Sequence, residues 1–181
     1  MKPALRPLYT LVYVHRIIAR IAVTLQDIIR LTSRAGAETL DPIAAGYFSD
    51  IETNLTMIHI TLTQTAHDIK TELDIVREEL KQIEEQVKLG PVTEELKREI
   101  EDRIKTLTDR LYHILAYAHE NLHDTQDILG QVREYILILR AKTREAKTLR
   151  HAIRIELHLI TLARQLRELK TFIEKRVRER S

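Results

Sequence analysis

Apolar side chains recur at helical spacing along nearly the whole chain. In residues 4–34 they return every three or four positions. In residues 43–88 steps of four and three alternate from Ile51 to Val87 with one slip near Leu73, the spacing of a coiled-coil heptad. The same period continues from Leu96 to Leu129. Each segment therefore predicts an amphipathic helix with one buried stripe. The stripe of the first segment consists of Leu11, Val14, Ile18, Ile21, Leu25, Ile28 and Ile29.

Few residues interrupt these periods, since the chain holds four Gly and four Pro. Residues 37–46 form a predicted linker in which Asp41 caps a helix that begins at Pro42. Leu89-Gly90-Pro91 ends the second helix. The sequence ENLHDTQDILG favours a third break, a tight turn at Gly130. The heptad also runs through Gly130, so one continuous helix from 92 to about 179 is the alternative.

The pattern predicts an all-α protein, an up-down four-helix bundle or coiled coil of long helices. Residues 1–36 form a basic amphipathic helix, which either packs as the first helix of the bundle or extends from it as an arm. Residues 47–181 form a long antiparallel bundle, with helices at about 43–88, 92–129 and 131–179. Because these lengths are unequal, some helix ends should project beyond the shared core.

Charge is segregated along the sequence, although the net charge is only +2. Residues 1–36 carry six Lys/Arg and one Asp, residues 37–130 carry nine basic and twenty acidic residues, and residues 131–181 carry fourteen basic residues and six Glu. Two basic ends thus flank an acidic middle. This asymmetry favours a polyanionic partner or charge-matched self-assembly.

Residues 131–181 contain no Gly, Pro, Asn or Asp and predict one unbroken basic helix. On such a helix, six cationic or titratable side chains lie within about 60° of each other, a stripe that fits the phosphates of a nucleic acid. The first helix carries a second basic group, rich in Arg, whose guanidinium suits phosphate contact. The candidate nucleic-acid-binding residues are Arg6, Arg16, Arg20, Arg30 and Arg34 in the first helix, and Arg133, Arg140, Arg144, Lys147, His151 and Arg154 in the last.

Several other interpretations stay open. The stripe also fits a solvated face that pairs with the acidic middle of the bundle, in a helical scaffold with no nucleic-acid role. A basic amphipathic helix fits a membrane surface as well, although interfacial Trp or Phe are lacking in the first helix. Glu120-x-x-His123 has the spacing of di-iron bundles, but the required second copy is missing, so a haem- or metal-binding bundle is the weaker alternative.

The sequence contains no recognisable motif for catalysis or for recognition of base sequence in nucleic acids. The sequence lacks a phosphate loop, a nucleophile elbow, a zinc-protease motif, a helix-turn-helix and an aromatic platform for single strands. We therefore expect a non-enzymatic protein without cofactor or small-molecule substrate. It should coat double-stranded DNA through the backbone and associate with itself.

The absence of cysteine rules out disulfides and thiolate metal sites. Together with few Met and abundant Ile, Arg, Lys and Glu, it suits a thermophilic source. No signal peptide is found, and no charge-free stretch of eighteen apolar residues predicts a transmembrane helix. A virion or the cytoplasm is the expected location.

The cysteine-free, Ile- and Arg-rich helical chain with basic ends resembles the α-helical capsid proteins and nucleoproteins of archaeal DNA viruses. In that group a basic helical arm and a helix bundle wrap double-stranded DNA, often in A-form, as a helical filament. The resemblance implies a structural coat protein that forms homo-oligomers. The basic charge here lies at both ends rather than in an N-terminal arm alone.

Overall fold

The computed structural model describes residues 2–180, and for residues 2–5 the backbone alone. Within this range the chain forms four α-helices and no β-strand, which confirms the all-α prediction. The helices are α1 (Lys2–Glu38), α2 (Pro42–Lys88), α3 (Glu94–Lys142) and α4 (Ala146–Arg178).

Each helix runs antiparallel to the next, because the contacts between neighbours pair early residues of one with late residues of the other. The Tyr117 hydroxyl of α3 donates a hydrogen bond to Asp68 of α2. Arg103, which lies earlier in α3, donates to Gln86, which lies later in α2. The same order links α3 to α4 and α4 to α1, so the bundle runs up, down, up and down.

The heptad residues form a single core that runs along the bundle. The predicted stripe of α1 is buried, apart from the half-buried Ile29, and the α2 seam is buried from Ile51 to Val76. Thr65 is a fully buried polar member of that seam. Its hydroxyl donates to the Thr61 carbonyl at 2.7 Å and accepts from the Asn121 amide at 2.9 Å, so it carries no unsatisfied group.

Side-chain caps fix the starts of two helices near their predicted positions. Asp41 accepts from the Ile43 amide at 2.9 Å, with Pro42 in the first turn of α2. Thr93 accepts a hydrogen bond from the Leu96 amide at 3.1 Å and caps the start of α3. Glu94 and Glu95 follow it in the first turn of that helix. The connection between α1 and α2 is shorter than the predicted 37–46 linker, since only residues 39–41 lie outside the helices.

The alternative of α1 as an arm is wrong. Leu11, Val14 and Ile18 are fully buried, and α1 packs closely on both α2 and α4. Removing this helix from the bundle would expose its whole apolar stripe to water, at a cost of about 25 cal/mol per Å².

The predicted boundary between the last two helices is also wrong. α3 continues through Gly130 to Lys142, and the chain turns at residues 143–145 instead. One helical glycine costs only about 1 kcal/mol, which burial of Leu129 and Val132 on either side offsets. Residues 140–148, RAKTREAKT, contain no large apolar side chain, so a straight helix would bury nothing there. The turn brings Ala152 and Ile155 back onto the shared core.

The connection between α2 and α3 projects beyond the other helices. Seam side chains become less buried toward it: Leu107 is buried, Ile104 and Ile100 are half-buried, and Val87 is exposed. We call residues 78–103 the hairpin tip. The unequal helix lengths thus leave a two-helix projection at one end of the bundle.

Candidate nucleic-acid interface

The exposed ridge of α1 lies between two grooves that are rich in cationic side chains. On the α4 side, a cavity of about 370 Å³ is lined by Arg30, Arg34, Arg154 and His158. Asp27 also lines it and pairs with Arg30 at 3.4 Å. The two helices bring together arginines that are about 120 positions apart in the sequence.

The groove on the α2 side is larger, about 890 Å³, and its floor includes Val12, Ala19 and Leu73. Its charged lining consists of Arg16 and Arg20 from α1, with Lys70, Asp74 and Arg77 from α2, and His15 lies beside them. Partial burial and the nearby Lys70 ammonium hold the pKa of His15 below its usual 6.5. Burial is the larger cause of this shift, and the Lys70 charge adds to it.

Most cations of this surface form no ion pair with the described residues. Among the described residues, no carboxylate lies within 4.0 Å of the charged nitrogens of any member except Arg30. We define the α1 face as the seven cations Arg16, Arg20, Arg30, Arg34, Lys70, Arg77 and Arg154. Three carboxylates, Asp27, Asp74 and Glu168, border them.

The six-residue stripe predicted for the last helix does not exist as one surface. Because the chain turns at 143–145, Arg133 and Arg140 lie on α3, Arg144 lies in the turn, and the other members lie on the antiparallel α4. Arg140 forms an ion pair with Glu156. Of the stripe, only Arg154 joins the α1 face.

Two further candidates are held by internal ion pairs. The Lys147 ammonium lies 3.4 Å from Glu38, and the His151 ring lies 2.9 Å from the same carboxylate. Arg6, at the far end of α1, lies 4.0 Å from Glu179 and is mostly exposed.

Lys70, Arg77 and His158 were missed by the sequence reasoning. Lys70 and Arg77 are seven residues apart, so both lie on one side of α2. That spacing is visible in the sequence, but the net acidity of residues 37–130 concealed it.

Aromatic rings also border the α1 face, which the sequence analysis did not expect. Tyr9 and Tyr13 continue the exposed ridge of α1 toward Arg6. The Tyr13 and Phe172 ring centroids are 4.9 Å apart, and Arg176 lies 5.0 Å from the Phe172 ring. Rings beside arginines are suited to stacking on unpaired bases.

Among the described residues, no group of three or more His, Asp or Glu side chains is placed to hold a metal ion. Glu120 and His123 are both exposed, and His123 contacts Lys170 and Asp127 instead.

One helix, Arg6–Glu38, is long and apolar enough to cross a membrane by length and composition. Its most apolar window has a mean hydropathy of 1.4, and 39% of that window is buried in the bundle. A core helix meets the same criterion, and here the apolar stripe packs on the other helices while Arg16 and Arg20 point outward.

Comparisons of this chain with protein-family models, with curated proteins and with solved structures gave no match.

Proposed function

We propose that this protein is a structural nucleic-acid-coating protein that binds the phosphate backbone of double-stranded DNA through the α1 face. The observation that carries the proposal is the convergence of seven cations from three helices, six of them without a carboxylate of a described residue within 4.0 Å. Like charges gathered on one surface repel each other, and a polyanion bound there would relieve that repulsion. Unpaired cations on a rigid helix also offer counterion release on binding phosphates.

The dimensions of the α1 face suit a duplex. Eighteen residues separate Arg16 from Arg34, which is about 27 Å along a helix. At 3.4 Å per base pair this length matches about eight base pairs. The cations lie in grooves and along a ridge rather than on an element shaped to enter a DNA groove, which favours binding without base recognition.

A coat function also requires contacts between copies of the chain. The projecting hairpin tip and the segregated charge support self-association. A virion capsid or nucleoprotein, of the kind found in archaeal viruses, is the setting that unites a sequence-independent DNA surface with a rigid, self-associating bundle.

The test compares two variants in which the same number of charges is removed. The face variant carries Arg16→Gln, Arg20→Gln, Arg34→Gln and Arg154→Gln. The control carries Lys105→Gln, Arg133→Gln, Arg144→Gln and Arg178→Gln, four exposed side chains outside the α1 face. Fluorescence anisotropy measures binding to a labelled random-sequence duplex at several salt concentrations.

Wild type and control should bind with a steep dependence on salt, while the face variant binds weakly. The slope of log K against log salt should fall by about 0.9 for each phosphate that the variant no longer neutralises. An equal weakening in both variants would contradict the assignment of the surface. A single strand of the same length, added as competitor, measures the preference for duplex.

The second candidate function is a helical scaffold without a nucleic-acid role. The internal ion pairs of Arg140, Lys147 and His151 favour it, since they show that part of the basic charge stabilises the bundle. Failure of the wild type to bind the duplex at low salt would support this candidate.

A further inference from the structure

The outer surface of α3 and α4 carries large apolar side chains that no part of the described chain covers. Leu157 is 62% exposed, Ile160 44% and Leu137 54%, and Ile153 is also exposed. On α4, Ile153, Leu157 and Ile160 follow each other by four and three residues, so they share one side of the helix. We call these four residues the α3–α4 patch.

Leu137 joins the same surface from α3. It precedes Arg140 by one helical turn, and Arg140 is bonded to Glu156 of α4. Because the helices are antiparallel, Leu137 lies at the level of Ile160, one turn beyond Glu156. A group of exposed apolar side chains of this kind is a usual mark of a contact with another molecule.

Exposed cations lie on the α4 side of the patch, and on α3 the exposed Glu134 lies one turn before Leu137. Arg150, Arg164 and Arg167 are exposed on α4, and among the described residues no carboxylate lies within 4.0 Å of their guanidinium groups. A two-fold dimer with α4 against α4 would bring these arginines together, and like charges at an interface are unfavourable. The patch therefore fits an acidic partner with an apolar centre.

The hairpin tip of the same chain has these properties. Residues 78–103 hold nine acidic and five basic side chains. At the turn itself Leu89 is 87% exposed, and Val87 and Val92 are exposed beside it. Exposed glutamates flank this apolar centre on both helices.

The two surfaces lie toward opposite ends of the bundle. From Leu137 back to Glu94, α3 covers forty-three residues, or about 65 Å. One chain cannot bring its own hairpin tip onto its own α3–α4 patch. A contact between different surfaces of two copies leaves a free surface at each end and repeats as an open chain of subunits, unless the rotation between copies closes a ring.

We propose that the hairpin tip of one copy docks on the α3–α4 patch of the next, so that this protein assembles head to tail. The inference specifies the self-association that the proposed function includes. It uses a surface other than the α1 face, which stays open to DNA along the assembly.

The test uses variants that each remove one surface. The patch variant is Leu157→Ser with Ile160→Ser, and the tip variant is Leu89→Ser with Val92→Ser. Met57→Ser with Ile60→Ser is the matched control, because both side chains are exposed on α2 away from either surface. Light scattering after size-exclusion chromatography gives the mass, and circular dichroism verifies that each variant keeps its helices.

Wild type and control should form assemblies whose mass grows with protein concentration and falls with added salt. Each variant alone should be monomeric. An equimolar mixture of the two variants should form pairs of chains and nothing larger, because the intact tip of one fits the intact patch of the other.

A monomeric wild type, a patch variant that still assembles, or a mixture that stays monomeric would each overturn the proposal. Duplex binding separates this outcome from the proposed function. Monomeric patch and tip variants that still bind the duplex would leave the α1 face assignment intact, whereas a face variant that assembles normally but fails to bind DNA would leave the head-to-tail contact intact.

Discussion

The Glu38 carboxylate at the end of α1 accepts a hydrogen bond from the His151 ring at 2.9 Å, joining α1 to the start of α4. Lys147 adds a second contact at 3.4 Å. The hydrogen bond from His151, followed by the charge of Lys147, lowers the pKa of Glu38 below its usual 4.5. Two side chains that the sequence assigned to phosphate binding thus hold the bundle together at the end where all four helices meet.

Replacing Glu38 with Gln should weaken the bundle more at neutral pH than at low pH. A carboxyl whose pKa is lower in the folded than in the unfolded state stabilises the fold above the unfolded value of about 4.5, and this contribution is lost as the pH falls through the folded value. Thermal unfolding at pH 7 should therefore give a lower Tm for Glu38→Gln than for wild type. The difference between the two Tm values should be smaller at pH 3 than at pH 7.

The control for this experiment is Glu120→Gln, which replaces an exposed glutamate outside both proposed surfaces, without a cation within 4.0 Å among the described residues. Its Tm should match that of wild type at both pH values. A Glu38→Gln deficit that persists unchanged at pH 3 would show that the ion pair is not its cause.

Gly130→Ala should stabilise the protein by about 0.5–1 kcal/mol, because Gly130 lies inside α3 and alanine is the better helix former. A Cβ at this position meets no atom within 4 Å, so no steric cost opposes the gain. Denaturant unfolding measures the change. A turn at residue 130, as the sequence favoured, would give no such gain.

Gly36→Ala is the comparison, since Gly36 also lies in a helix but its added Cβ would lie 3.2 Å from the Phe48 Cβ. The close approach of α1 and α2 should reduce or reverse the benefit there. An equal increase in the free energy of unfolding at both positions would show that the close approach of the two helices at Gly36 does not affect stability.

The seams of the helices could be predicted from the sequence because burial follows the heptad directly. The α2 seam from Ile51 to Val76 is buried as expected. The turn at 143–145 was missed because it contains neither Gly nor Pro. Its signal was a different one, the nine residues from Arg140 to Thr148 without a large apolar side chain. In a bundle, a helix ends where its side chains no longer reach the core, as effectively as at a helix-breaking residue.

The candidate site was predictable only in part. Arg16 and Arg20 are exposed on α1, as its periodicity predicted. Their neighbours Lys70 and Arg77 come from another helix, and only the register between α1 and α2 places them together. Helical phase within one segment cannot supply that register. The same limit explains Lys147 and His151, whose partner Glu38 is more than a hundred residues away.

Two substitutions on α4 should differ sharply in cost and thereby test its orientation. Ile155→Ala removes a fully buried side chain and should destabilise the protein by about 2–5 kcal/mol. Leu157→Ala, two positions away on the outer side, should change stability by no more than about 0.5 kcal/mol. Urea unfolding at low protein concentration provides both values without a contribution from assembly. Similar changes in stability would contradict the rotation of α4 in the bundle.

Binding of a DNA duplex should raise the pKa of His15. In the free protein, burial and Lys70 keep this pKa below 6.5, and phosphates placed beside Arg16 and Lys70 would oppose the effect of Lys70 by adding negative charge. Binding of DNA is then accompanied by uptake of a proton. The affinity for DNA should therefore increase as the pH falls from above the His15 pKa of the complex to the His15 pKa of the free protein. NMR titration of the imidazole protons, assigned with His15→Asn, measures the pKa with and without a short duplex.

His113, exposed on α3, provides the comparison at fixed pH, since its ring signals should not move on adding DNA. An unchanged His15 titration in a saturated complex would place the bound phosphates outside the groove between α1 and α2.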